Sequence, residues 1–245
     1  MKTTQSNPDQ LPIQHHEIEV LADLVSLKAQ AIIEIGCGSA RLARELLRRW
    51  PRSQVTALEV DAVQHAKNLA NPQKGLTFIA AGAQALPLPD ASFDLALMLK
   101  SLHHVPIAAM DQALAEVARV VRPGGHLYVS EPIYGGTFNE IARLYNDESV
   151  VRAAAQAALD RALAAGMQWG AEQERRFVLP SHFSHWDDFA ERMLYPSFAD
   201  HRITPELVER VRAAFEPHCG ADGAHFMRPM HVRLLRRRTY SDLVE

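Results

Sequence analysis

Short apolar runs alternate with amphipathic stretches along the first half of the chain. "AIIEIG", "QVTALEV", "LTFIAA", "LALMLKS" and "HLYVSEP" have the length and β-branched or leucine-rich content of buried strands. Between them, apolar positions recur at helical spacing in "HEIEVLADLVSLK" (16–28), from about Ala40 to Trp50 before the stop at Pro51, in "AVQHAKNLA", and in "IAAMDQALAEVARVV". "LPLPDASFD" is a proline-bearing connection and "RPGG" a turn. Strands alternating with helices in this way predict βαβ units. The expected fold is α/β, a doubly wound, mostly parallel sheet with helices on both faces and right-handed crossovers.

The pattern changes after Pro132. "GGTFNEIARLYNDESVVRAAAQAALDRALAAG" is long and helical, "ERRFVLPSHF" extended, and "HWDDFAERML" and "TPELVERVRAAF" helical. The last of these has Thr204 as N-cap and Pro205 at the first helical position. "FMRPMHVRLLRR" reads as a final strand, with Pro229 favouring an edge or a bend. One domain is expected over 1–245: an N-terminal segment and helix (1–29), a core (30–132), a helical lid inserted after strand five (133–185), and C-terminal helices with a last strand (186–245).

Composition removes several alternatives. At 245 residues the chain is long enough for a large core. A formal net charge of −3 creates no field that gathers nucleic acid or anionic membrane. The arginines of "RLLRRR" (233–238) read as an exposed cluster on a strand. No apolar run approaches the roughly 18 residues of a membrane span, and the polar N-terminus lacks the apolar core of a signal peptide. Cys37 and Cys219 suggest neither a disulfide nor a metal site. A reducing cytoplasm is the expected compartment.

In open α/β sheets, ligands sit outside the carboxyl ends of the strands, near the point where strand order reverses. "IIEIGCGSA" (32–40) places Glu34, Gly36, Cys37 and Gly38 there. Small residues between a strand and a helix let a ligand approach the backbone and the helix N-terminus. A dinucleotide fingerprint requires a third glycine where this chain has Arg41, and Glu34 would repel a pyrophosphate. A ligand with a positive group fits better. Glu59, at the end of "TALEV", is placed to accept hydrogen bonds from both hydroxyls of a ribose.

Together these residues resemble the class I S-adenosylmethionine-dependent methyltransferases of small-molecule type, with a methyltransferase-11-like domain and a Rossmann-like fold. "IIEIGCGSARLARELL", "VTALEVD", "AAGAQALPLPDASFDLALMLKSLHHV" and "EVARVVRPGGHLYVSEP" carry the resemblance in order, over about residues 30–132. It implies S-adenosyl-L-methionine as cofactor. Gly36, Cys37 and Gly38 would approach its methionine part, with Glu34 holding the amino group. Glu59 and Val60 would lie at the ribose, and Gly82, Ala83 and Gln84 at the adenine. Lys100 and Ser101 would hold the amino group through backbone carbonyls. The chain departs from the family at Ala40, which stands for the third motif glycine. It departs again at Gly82, which replaces the aspartate that accepts from the adenine amine. Gln84, through its amide oxygen, or a water would then take that bond.

Methyl transfer is an in-line displacement in which positioning supplies much of the rate. An acceptor carrying a proton also needs a base. His103, after strand four, is the candidate; with His104 it does not make a metal motif, and no metal is expected. Tyr134, Phe138, Tyr145 and Trp169 in the lid suit an apolar or aromatic small acceptor. Neither nucleic acid nor membrane is an expected partner, and a homodimer is left open. The alternatives are a non-catalytic cofactor-binding or regulatory protein of the same fold and, less favoured, an RNA methyltransferase. Strand four ends in "LKSLHH", without the Asn/Asp-Pro-Pro-aromatic run of base-amino methylation.

Overall fold

A computed structural model describes residues 11–196 and 201–243. The polar stretch 1–10 therefore lies outside the described residues. The rest forms two compact units. One comprises 18–131, 151–175 and 232–243; the other comprises 11–17, 132–150, 176–196 and 201–231.

The first unit is built on the sheet. Its strands are β1 (Ala31–Ile35), β2 (Gln54–Leu58), β3 (Leu76–Ile79), β4 (Phe93–Leu99) and β5 (Val121–Pro132). The order is β3-β2-β1-β4-β5-β8-β6, with β6 (Trp169–Phe183) and β8 (Gly223–Arg237) belonging to this unit through residues 169–175 and 232–237. β1 pairs in parallel with both β2 and β4, β2 with β3, and β4 with β5. Strand order thus reverses between β1 and β4, as in a doubly wound sheet. "RPGG" is not a separate turn. It lies at the start of β5, where the register against β4 shifts between Phe93 and Leu95.

Both faces of the sheet are buried. Ile33, Ile35, Ala96, Met98, Leu127 and Val129 share one core with α4 (Met110–Val120). Their neighbours Ile32, Leu95, Leu97 and Tyr128, which alternate onto the opposite face, are buried as well. α1 (Glu17–Leu24) stops short of the expected Lys28. Beyond it the Leu27 carbonyl accepts from the Ser53 hydroxyl at 2.6 Å, and Ser53 in turn accepts from the Gln30 N–H. That side chain draws the segment out of the helix towards β2.

The segment 133–185 differs from a helical lid. α6 (Ser149–Ala165) places Ala155, Ala158 and Leu159, spaced i, i+3, i+4, in the sheet core. Trp169 follows in the same core, 1% exposed, with its indole N–H donating to the Leu114 carbonyl at 3.2 Å. From there the chain is extended as β6.

The second unit holds α5 (Thr137–Ala142), α7 (Trp186–Met193), α8 (Pro205–Phe215) and the short β7 (Cys219–Gly220), which pairs antiparallel with β8. The predicted Thr204 cap is present, its hydroxyl accepting from the Leu207 N–H. The core is aromatic: Phe138, Phe183, Phe189, Phe215 and Phe226 are buried, with ring centroids 4.5 to 6.5 Å apart. Arg192 and Arg228 lie over Phe183 and Phe138 at 4.4 and 4.7 Å. Pro229 does not mark an edge, because β8 lies inside the strand order; its carbonyl accepts from the Ile133 N–H.

The place of Trp169 in the sheet core makes a direct prediction. Trp169→Ala should destabilise the protein by about 3–5 kcal/mol, read as a lowered urea midpoint. A residue that merely lined an acceptor site would leave that midpoint unchanged.

Candidate functional site

The candidate site lies at the carboxyl edge of the sheet, where β1 and β4 meet. Three left-handed residues, Gly36 (φ +73°), Gly38 (φ +52°) and Ala40 (φ +55°), turn the chain from β1 into α2 (Arg41–Arg49). A Cβ at Gly36 would stand 2.7 Å from the Ser101 Cβ, so glycine is required there by both backbone and space. A Cβ at Gly38 would meet nothing within 4 Å. The N–H groups of Gly36 and Cys37 both donate to the Leu58 carbonyl, at 3.0 and 2.9 Å. α2 begins at Ala40 with no side-chain cap.

Two buried carboxylates flank this turn. Glu34 closes β1. Glu59, just past β2 and 7% exposed, accepts from the Gly38 N–H at 2.7 Å through Oε2 and from the Val60 and Asp61 N–H groups at 2.9 Å through Oε1. Val60 beside it is 71% exposed, an apolar side chain left open at the strand end. Asn68 on α3 (Ala62–Leu69) holds the turn from the other side. Its Nδ2 donates to the Gly38 carbonyl at 2.8 Å, and its Oδ1 accepts from Gln64. Burial, reinforced by the Glu34 and Glu59 charges, pushes the Cys37 thiol up to about 12. Cys37 therefore lines the turn as a neutral thiol.

Gly82, Ala83 and Gln84 follow β3. The Gln84 amide folds over Gly82: a Cβ at position 82 would meet Oε1 at 2.7 Å and Nε2 at 3.0 Å. The space that an aspartate would enter is thus filled by the Gln84 side chain. The next stretch is pinned from α4. Glu116 accepts from the Leu86 N–H, while Arg119 donates to the Leu86 and Leu88 carbonyls and pairs with Asp90. The Arg119 guanidinium and the Leu86 N–H hold the Glu116 carboxyl down at about 2.

At the end of β4, Lys100 is left-handed (φ +54°) and donates its N–H to the Ser130 carbonyl at 2.7 Å. The Ser101 hydroxyl is buried without a hydrogen-bond partner among the described residues. His103 sits in the 3₁₀ turn Leu102–His104 that follows, its Nδ1 bonded to Glu131.

The structure therefore brings Glu34, Gly36, Cys37, Gly38, Glu59, Val60 and Ser101 around one turn, with Lys100 just before Ser101 and His103 two residues after it. The lid residues lie elsewhere. Trp169 is sheet core. Phe138 is buried in the aromatic core of the second unit, and Tyr145 packs edge-on against Phe189 there. These placements correct the expectation that Phe138 and Trp169 line an acceptor site, because each has its faces covered by its own unit. Tyr134 is 39% exposed and donates to Asp147. The arginine cluster is corrected too. Arg233 is buried against Asp160 and Glu174, Arg236 pairs with Asp242, and Arg237 donates to the Val121 carbonyl.

Asn68 and Glu131 went unassigned in the sequence. Each leaves a signal as a polar residue out of place: an asparagine within a short helix and a glutamate ending the apolar run "LYVSE".

The family model for a methyltransferase domain matches residues 33–129. This segment is therefore similar to a methyltransferase domain. Over 119 residues the chain is 34% identical to a fatty-acid O-methyltransferase of Mycolicibacterium smegmatis, covering 48% of this chain and 41% of that protein. It is 32% identical over 129 residues to a demethylmenaquinone methyltransferase of Chlamydia trachomatis, covering 50% and 54%. The chain thus spans about half the length of the curated relatives it matches. The YcgJ protein of Bacillus subtilis superposes with a TM-score of 0.63 at 17% identity, covering 92% of this chain and 100% of that one. The [4+2]-cyclase SpnF superposes at 0.58 with 21% identity, covering 90% and 79%. Those two likenesses establish the fold alone. Methyltransferases of this family generally use S-adenosylmethionine. The glycine turn here fits such a group on three counts: open space at Gly38, two buried carboxylates for an ammonium and hydroxyls, and a Ser101 hydroxyl without a partner among the described residues.

The geometry of the glycine turn makes two predictions. Gly36→Ala should lower stability by about 1–3 kcal/mol in urea denaturation. Gly38→Ala, strained but unobstructed, should lower it less. In the folded protein at pH 8, a disulfide exchange reagent should titrate the exposed Cys219 and leave Cys37 unmodified; both should react after denaturation.

Proposed function

We propose that the chain is an S-adenosylmethionine-dependent methyltransferase acting on a small apolar or aromatic molecule. One observation carries this reading: the Glu34 and Glu59 carboxylates flank a glycine turn whose Gly38 side is open, at the reversal of strand order. When bound, the cofactor supplies an electrophilic methyl group. The chain's residues bind and orient it. Glu34 faces the amino group, Glu59 the ribose hydroxyls, and the Gln84 amide the adenine edge in place of the family's aspartate.

An apolar acceptor is supported by the names of the two curated relatives, which denote a fatty acid and demethylmenaquinone as what those proteins act on. It no longer leans on Phe138 or Trp169. Nucleic acid is not part of the proposal, since the 233–238 arginines bond within the protein.

The second reading is a cofactor-binding or regulatory protein with a degenerate site. Two observations favour it: Glu59 already accepts from three N–H groups, and position 82 carries no carboxylate. The solved [4+2]-cyclase of this fold is a reminder that fold does not fix chemistry.

Calorimetric titration separates the readings. S-adenosylmethionine should bind with micromolar affinity while NAD does not, and Gln84→Ala should weaken binding about tenfold, some 1.4 kcal/mol. Glu59→Ala should abolish it. Failure of the unaltered chain to bind either S-adenosylmethionine or its demethylated product would overturn the methyltransferase reading.

A further inference from the structure

Within the sheet unit, Glu131 gives both of its oxygens to a single turn. Oε1 accepts from the Leu102 N–H at 2.9 Å, and Oε2 bonds Nδ1 of His103. Glu131 is 1% exposed and His103 4%. Glu131 lies buried between Ser130 and Pro132 at the end of β5, and burying a carboxylate is unfavourable unless it is well bonded. The arrangement sets the ring's protonation. A carboxylate at Nδ1 takes a hydrogen bond from that nitrogen, which fixes the tautomer and turns Nε2 to the role of acceptor. The His104 ring lies 4.1 Å away at 41°, confining the imidazole further. Ser101, two residues earlier, is the residue that Gly36 approaches. The turn that carries the imidazole therefore follows directly on the residue packed against the glycine turn.

We propose that Glu131 is the positioning residue of a His103 general base, and that the acceptor is consequently a hydroxyl compound, an alcohol, phenol or enol, rather than a carboxylate that is already ionised. The inference rests on the methyl-transfer reading above. In the step it implies, the acceptor oxygen forms its bond to the methyl carbon as the carbon–sulfur bond breaks. The sulfur retains that electron pair and becomes a neutral thioether, the hydroxyl proton passes to Nε2 of His103, and it leaves later to solvent.

The test uses the full chain, labelled S-adenosylmethionine and two probes of one shape, 2-naphthol and 2-naphthoic acid. Naphthol should be methylated in preference to the acid. Glu131→Gln keeps an oxygen for the Leu102 N–H but turns an amide towards the ring. It should lower kcat on naphthol by about 10²- to 10⁴-fold, with KM and calorimetric affinity for S-adenosylmethionine unchanged. Nitrogen-15 NMR of labelled histidine should show His103 protonated at Nδ1 in the unaltered chain, and at Nε2 or mixed in the variant. Should Glu131→Gln not fold, His103→Gln carries the same kinetic test. Faster transfer to the acid, transfer to neither probe by a chain that binds S-adenosylmethionine, an unchanged kcat in the variant, or an Nε2-protonated ring in the unaltered chain would each overturn the inference. Loss of S-adenosylmethionine binding by the unaltered chain sinks instead the reading on which it rests.

Discussion

The close approach of Gly36 to Ser101 is the constraint from which the rest of the site follows. β1 and β4 are neighbours only because strand order reverses between them, so the turn leaving β1 and the turn leaving β4 must share one small volume. A side chain at position 36 would force them apart, since its Cβ would stand 2.7 Å from that of Ser101. Once the two turns are in contact, each is tied to a different neighbouring strand. The Leu58 carbonyl and Glu59 hold the first from β2, while Ser130 and Glu131 hold the second from β5. Four consecutive strands of the sheet thus converge on two turns, and Asn68 closes the set from α3. Rigidity of this kind is what a reaction governed by positioning requires.

The sheet was legible in the sequence because its signals are local. Strand and helix periods differ, and five strands interleaved with helices leave little choice of topology. The glycine turn was legible because left-handed residues are few and their placement after a strand is specific. Glu59 stood out as a carboxylate at a strand end. Asn68 and Glu131 left only the trace of a polar residue in an unfavourable place, which says that a partner exists but not which one. The aromatics after strand five could not be assigned at all: one phenylalanine or tryptophan in isolation suits a core and a binding surface equally. Phe138 and Trp169 proved to be core, each in a different unit. The alanine stripe of α6 shows that a face is buried without naming the surface that covers it. That is why the segment read as a lid is divided between the sheet unit and the second unit. Arg233 misled for the opposite reason, since arginine is rarely buried and its partners Asp160 and Glu174 lie far away in sequence.

Glu59 also sets a condition on ligand binding. A carboxylate offers about four acceptor directions, and three already receive the N–H groups of Gly38, Val60 and Asp61. A ribose presents two hydroxyl donors, so holding both requires one backbone bond to lengthen or be shared. Val60 and Asp61 are bound to the same oxygen within one short segment. Gly38 alone occupies the other oxygen, and it is also the residue with open space at its Cβ position. The turn that would contact the cofactor's methionine end is therefore coupled through one hydrogen bond to the group that would hold its ribose. Occupation of one end then adjusts the other. Asn68, bonded to the Gly38 carbonyl from the opposite side, limits how far the turn can shift. With Gln84 folded over Gly82, the adenine end is met by a neutral amide that both donates and accepts, so the two carboxylates at the strand ends are left to supply the charged part of recognition.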